Sequence, residues 1–243
     1  QVLQEESDAL RAYYEQAGIL IARPAGGTSC RLAISAKGGT NAENHNHNDV
    51  GSYAVALGSE TMVGDQGGPN SYPGDYFNGD APQKYKIKGS FGHPVPVVDG
   101  RTQSSGGKAK GVVLQKEFTN EKDVFSIDYT SAYSTPNLDK LIRTFVYDRQ
   151  GEGNFTVGDE FTAKTPIRFE TAITTRADWK ILDDTHLLLA TDSEQMIVAI
   201  DASGKVAFTS ETIEVNSPAY TRIGIALKNQ SKEGYIRLKM YTK

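Results

Sequence analysis

From residue 111 to residue 242 the chain is a succession of strand-length segments divided by turn residues. Candidate strands run over 111–118, 123–133, 140–148, 153–163, 166–175, 186–191, 195–201, 205–215, 219–228 and 233–242. Asp148 to Gly153 and Asp201 to Gly204 supply turn chemistry between neighbours. Phe125, Ile127 and Tyr129 alternate with Ser126, Asp128 and Thr130, the pattern of a half-buried strand. Such a pattern, with no second long helical stretch, predicts an all-β chain: an antiparallel multi-sheet β-sandwich. Upstream, Leu3, Leu10, Tyr13 and Tyr14 lie between charges and predict a short N-terminal helix that ends at Gly18. The expected organisation is a linker helix over 1–17 and one β-sandwich domain over 18–243.

Charge narrows the function classes. With 26 basic and 30 acidic residues the net charge is −4, which argues against bulk nucleic-acid binding and against a basic membrane-surface protein. No apolar run approaches the ~18 residues of a membrane span. The single Cys30 cannot close an internal disulfide, so cysteine usage does not diagnose the compartment. The opening Gln-Val-Leu-Gln-Glu-Glu has neither a Met nor signal-peptide features, as expected of a processed product or an excised domain.

The chemistry concentrates in residues 44–52, Asn-His-Asn-His-Asn-Asp-Val-Gly-Ser. Two of the four histidines stand here, one residue apart. If this stretch begins the strand Tyr53–Leu57, then His45, His47 and Asp49 share one face. A divalent cation is one explanation for such a face, and a hydrogen-bonded polar strand start is the other. Asp65 follows Met62-Val63 and enters a glycine-rich turn; alone it reads as a turn residue. His93, between Gly92 and Pro94, alone reads equally well as a loop histidine. Jointly His47, Asp65 and His93 make a two-His, one-carboxylate set from successive strand ends, a composition suited to zinc with an open position. His186 precedes an apolar run without metal-competent companions and reads as structural.

Residues 66–83 form a long Gly-, Pro-, Asn- and Tyr-rich loop. Tyr72, Tyr76, Phe77 and Tyr85 at its exit favour a binding loop over disorder. Between Ala81 and Lys110 there are six basic residues, Lys84, Lys86, Lys88, Arg101, Lys108 and Lys110, against the single acid Asp99. Such a strip would attract an anionic ligand. Strict alternation over Lys84 to Lys88 equally fits an edge strand guarded by lysines.

Two familiar motifs fail. A cupin-type site needs a Glu where Val50 or Gly51 stands, and a metallo-β-lactamase signature stops at Val50. Another pattern fits. His-Asn-His-Asn-Asp-Val-Gly-Ser, then Gly64-Asp65-Gln66-Gly67, then Ser90 to Gly100 resembles the C-terminal half of the heparinase II/III family of polysaccharide lyases. Gly18 to Arg23 is similar to the family's first strand after its helical domain. The specific motifs lie within residues 18–103; beyond them only the style of the strands agrees.

The resemblance implies a β-sandwich that works with an N-terminal α/α toroid and cleaves uronate-containing polysaccharides by β-elimination. It implies that His47, Asp65 and His93 bind a structural Zn2+, that His45 acts as a catalytic histidine facing the substrate, and that Asp49 supports the site without ligating. Tyr76 is a plausible substrate contact, and Lys84 and Arg101 are expected to meet the anionic polysaccharide. The family's catalytic Tyr, base and acid, and its Asn or His partner lie in the toroid, which this chain does not encode; the chain alone is therefore expected to be inactive or nearly so. A periplasmic or secreted location follows from the family, and since dimers are common in it, a homodimer is one expected assembly. Two alternatives stand beside this reading. A non-catalytic carbohydrate-binding β-sandwich would carry a structural metal and lack a toroid partner. A metal hydrolase would lose activity, but not its fold, on chelation.

Overall fold

The structure, a computed structural model, describes residues 9–65, 68–215 and 217–243. Buried and less buried residues alternate along many of the strands, and the strands lie in three antiparallel sheets. The first sheet holds β1 (Arg11–Tyr14), β2 (Ile19–Ala22), β3 (Leu32–Lys37), β5 (Tyr53–Leu57) and β6 (Glu60–Val63), neighbours in that order; β4 (Gly39–Asn41) leaves it to join the second. The third sheet, in spatial order, is β16 (Val206–Val215), β17 (Ser217–Leu227), β12 (Phe169–Thr175) and β7 (Val97–Val98). The large second sheet runs β13 (Asp178–Asp183), β14 (His186–Ala190), β15 (Gln195–Ala202), β18 (Ser231–Thr242), β11 (Asn154–Ile167), β10 (Leu138–Asp148), β9 (Lys122–Asp128), β8 (Gly106–Phe118) and β4. The expected multi-sheet β-sandwich is what forms. One short α-helix, α1 (Ala81–Lys84), stands apart from the strands.

A large apolar core joins the sheets. Phe145 on β10 lies parallel to Phe125 on β9 and Phe155 on β11, at 5.9 and 6.2 Å between ring centroids. Tyr53 of the first sheet packs on Phe145 and Phe155 at 6.2 and 5.9 Å. Phe161 and Phe169 stack at 4.6 Å and join the second sheet to the third. Aromatic pairs of this kind add about 0.5–1.5 kcal/mol each beyond the area they bury. A smaller cluster of Tyr76, Ile87, Ile213 and Tyr220 ties the long loop to the third sheet.

Three local expectations are corrected. Arg11–Tyr14 is strand β1, not part of an N-terminal helix; residues 1–8 of that expectation lie outside the described residues. Tertiary partners decide it: Arg11 to Tyr14 pair with Ala22 to Ile19, Tyr13 packs on Phe118 and Phe125, and Arg11 meets the Asp123 carboxylate at 2.8 Å. Lys84 to Lys88 is the end of α1 and a turn, not an alternating edge strand. Pro82 stands in the first turn of the helix, and Lys88 N–H and Gly89 N–H close back on the Tyr85 carbonyl at 2.9 Å. Finally, residues 42–50 form a looped turn, so His45, His47 and Asp49 do not share a strand face. His45 has a positive φ of 59°, which throws its side chain away from the alternation a strand would impose.

Candidate functional site

Three strand ends deliver His47, Asp65 and His93 to one place. His47 comes from the turn between β4 and β5, Asp65 follows β6 by two residues, and His93 follows the short 3₁₀ turn Ser90–Gly92 before β7. One potential ligand atom from each lies within 4.8 Å of the other two. His93 Nδ1 is 3.7 Å from Asp65 Oδ2, and the two imidazole centroids are 5.2 Å apart. His93 is fully buried, yet among the described residues neither of its ring nitrogens has a hydrogen-bond partner. Buried polar atoms are normally satisfied, and leaving one bare costs about 1–3 kcal/mol. A cation among the three residues would satisfy a His93 nitrogen, so the donor set and its burial fit a metal ion.

His47 is electrostatically prepared for that role. Burial, then the neighbouring His93, depress its pKa to about 4. Its imidazole is therefore neutral near pH 7, the form that ligates. Tyr76 Oη lies 3.2 Å from His47 Nε2. In the tautomer that donates from Nε2 to the phenol oxygen, the Nδ1 lone pair is free to meet a cation, the arrangement that orients most metal-binding histidines. Burial, then Tyr72, push the Tyr76 hydroxyl up to about 12, so it stays a neutral phenol.

The loops are held by groups that strand reading alone does not single out. Arg143 on β10 is fully buried and donates from Nη1 to the Gly51 and Pro94 carbonyls, both at 2.7 Å. One guanidinium thus fixes the turn that follows His47 and the residue that follows His93. Asp159 grips its other side, receiving Nε at 2.7 Å and Nη2 at 2.6 Å. Gln103 works in parallel. Its amide donates to the Val50 carbonyl at 2.7 Å and accepts from Val50 N–H at 3.1 Å, while its own N–H reaches Ser90 Oγ at 2.8 Å. Glycine is required beside two members of the triad. A Cβ on Gly92 would stand 2.3 Å from the Lys86 carbonyl oxygen, and one on Gly64, at φ +153°, would stand 2.6 Å from Ala54 Cβ.

His45 stands outside this cluster, exposed, on a cleft of about 380 Å³ lined also by Asn44, Asn46, Phe77 and Lys88. Its ring lies 4.9 Å from Phe77. The other expected site residues are distributed differently. Asp49 ion-pairs with Lys37, which leaves it beside the triad and not in it. Tyr76 is 1% exposed and spends its hydroxyl on His47, so it backs the site instead of facing solvent. Lys84 is engaged by Asp75 at 2.8 Å and Asp80 at 3.3 Å, and Lys86 by Glu211. Arg101 sits on the tight turn after β7, where its backbone pairs with Val98. Neither Lys84 nor Arg101 lines the His45 cleft. Of the six basic residues in the strip read from sequence, Lys84 and Lys86 are thus engaged by carboxylates, the second by one far along the chain.

Comparison with known proteins gives one kind of likeness. No family model and no curated protein matches the chain. Solved structures do. A heparinase III structure superposes with a TM-score of 0.74 at 18% identity, over 96% of this chain. A mutant of the heparan sulfate lyase HepC from Pedobacter heparinus does so with a TM-score of 0.76 at 14% identity, again over 96%. The chain has the fold of a part of heparinase III. It spans only 36% and 37% of the length of those two structures. Among the described residues no helix is long and apolar enough to cross a membrane.

Proposed function

We propose that this chain is the β-sandwich portion of a polysaccharide lyase that cleaves uronate-containing chains by β-elimination. The observation that carries the reading is His45 exposed on an open cleft, on the same short turn as a His47–Asp65–His93 cluster shaped for a metal, within a heparinase III-like fold. In β-elimination a base removes the proton alpha to the uronate carboxylate. The bond from the β carbon to the glycosidic oxygen then breaks, a carbon–carbon double bond forms, and the departing oxygen takes up a proton. Charge that develops on the carboxylate must be stabilised, which positioned donors and cations do best in a partly desolvated cleft. His45 offers an imidazole that can hydrogen-bond or pass a proton at the sugar. Phe77 gives a ring face beside it.

Zinc is the ion that two imidazoles and a carboxylate suit best, and its role here is structural: when bound, it fixes the ends of three loops. His47, His93 and Asp65 would hold it. Tyr76, Arg143 and Gln103 orient those loops, so that His45 is presented at a constant angle. The Tyr that serves as base and acid, and its Asn or His partner, belong to an α/α toroid in this reading, and the whole enzyme acts outside the cytoplasm, in the periplasm or secreted.

The test is the ultraviolet absorbance of the unsaturated uronate product on heparin, heparan sulfate, chondroitin and alginate. This chain alone should give little or no product. The toroid-bearing parent protein should cleave at least one of them, and His45→Ala should lower its kcat by about 10²-fold or more. Robust turnover by the chain alone would contradict the divided active site. A parent protein that releases no unsaturated product from any uronate polymer would contradict the lyase reading itself.

A further inference from the structure

Of the three lysines in the Lys84 to Lys88 segment, one is unlike the others. Lys84 and Lys86 are exposed and each meets a carboxylate. Lys88 is only 6% exposed and, among the described residues, meets none. Its ammonium donates instead to the Tyr76 carbonyl and lies 4.8 Å from the Tyr76 ring centroid and 5.0 Å from that of Phe77. Burial draws its pKa down, as expected of a cation short of a counter-charge. Its position is fixed from behind, because Asn48 N–H donates to the Lys88 carbonyl at 2.9 Å. That bond ties Lys88 to the turn that carries His45 and His47.

A buried ammonium without an anion is expensive unless it serves a ligand. Lys88 lines the same cleft as His45 and Phe77. The acid on that cleft, Glu43, is exposed at its rim and accepts a hydrogen bond from Thr40 Oγ1 at 3.2 Å. We infer that Lys88 is the carboxylate-recognition residue of the cleft: it binds the uronate carboxylate of a sugar whose ring rests against Phe77, with His45 alongside. This rests on the lyase reading and adds a specificity determinant to it. A carboxylate is favoured over a sulfate ester because every uronate unit carries one, and because elimination requires that group to be neutralised. Lys88 is accordingly a substrate-binding residue that supplies the counter-charge.

Binding by the 243-residue chain tests this, followed by NMR shift titration up to millimolar ligand. The probes are an unsulfated uronate tetrasaccharide, its carboxyl-reduced counterpart, and that reduced counterpart carrying sulfate esters. The wild-type chain should bind the carboxylate form about tenfold or more tighter than the reduced form. Lys88→Met, which keeps the stem on the two rings, should erase that preference. Lys88→Gln, which keeps a donor for the Tyr76 carbonyl, should erase it too and guards against a folding defect in the first variant. A carboxylate preference that survives in both variants overturns the role of Lys88 and leaves the lyase reading standing. Preference for the sulfated, carboxyl-reduced probe in the wild type overturns the choice of carboxylate. No shift with any uronate probe overturns this inference, while the lyase reading is decided separately by product release from the parent protein.

Discussion

At the scale of single residues, the site depends on charges placed where water is scarce. Arg143 is the clearest case. Leu141, Arg143, Phe145 and Tyr147 are all buried, on the inward register of β10. An arginine on the inward side of an otherwise apolar strand was the sequence signal for this clamp, and strand assignment alone passes over it. Arg143→Met should cost about 3–5 kcal/mol, since it leaves the Asp159 carboxylate buried without its cation. Urea unfolding measures this, and a loss below about 1 kcal/mol would contradict the clamp. His47 makes a prediction about pH. In metal-free protein, unfolded His47 takes a proton near its ordinary value of about 6.5, while folded His47 refuses it until about 4. The unfolded state binds more protons within that window, so stability rises with pH across it and falls as pH drops from about 6.5 to about 4. The span is worth up to about 3 kcal/mol, and His47→Gln should flatten it in urea midpoints taken with chelator present.

At the scale of elements, the strands were legible and the loops were not. Alternation is imposed by the strand itself, so most of the second and third sheets can be read from residues near one another in sequence. β13 escapes because it is a largely exposed edge strand and shows no buried stripe. β1 is ambiguous in the sequence because Leu10, Tyr13 and Tyr14 also fit helical spacing, and only Phe118, Phe125 and β2 decide between the two. The lysine alternation at Lys84 to Lys88 arises without a strand, and the partners that neutralise two of these side chains include Glu211, far along the chain. The 3₁₀ turn at Ser90–Gly92 has a sharper requirement. A methyl group at Gly92 must displace the Lys86 carbonyl or the Tyr220 hydroxyl, which lie 2.3 and 2.8 Å from its Cβ position. Gly92→Ala should therefore destabilise by about 1–3 kcal/mol and weaken metal retention through His93. An unchanged melting temperature would show that the turn relaxes without cost.

At the scale of the molecule, the candidate site is where the sheets meet. The His47 turn joins the second sheet to the first, Asp65 leaves the first, His93 leads into the third, and Arg143 reaches across from the second. The composition of the triad was legible, because few histidines are present and two of the triad stand beside glycines or aspartates at strand ends. Its assembly was not, since it depends on how three sheets pack. The account stands on a metal held at that junction. Elemental analysis of the purified chain, beside His93→Ala prepared in the same way, tests it most directly. The account predicts about one zinc per wild-type chain and a near-complete loss in the variant. Wild-type protein that is folded yet free of metal, or a variant that keeps its full complement, would contradict it.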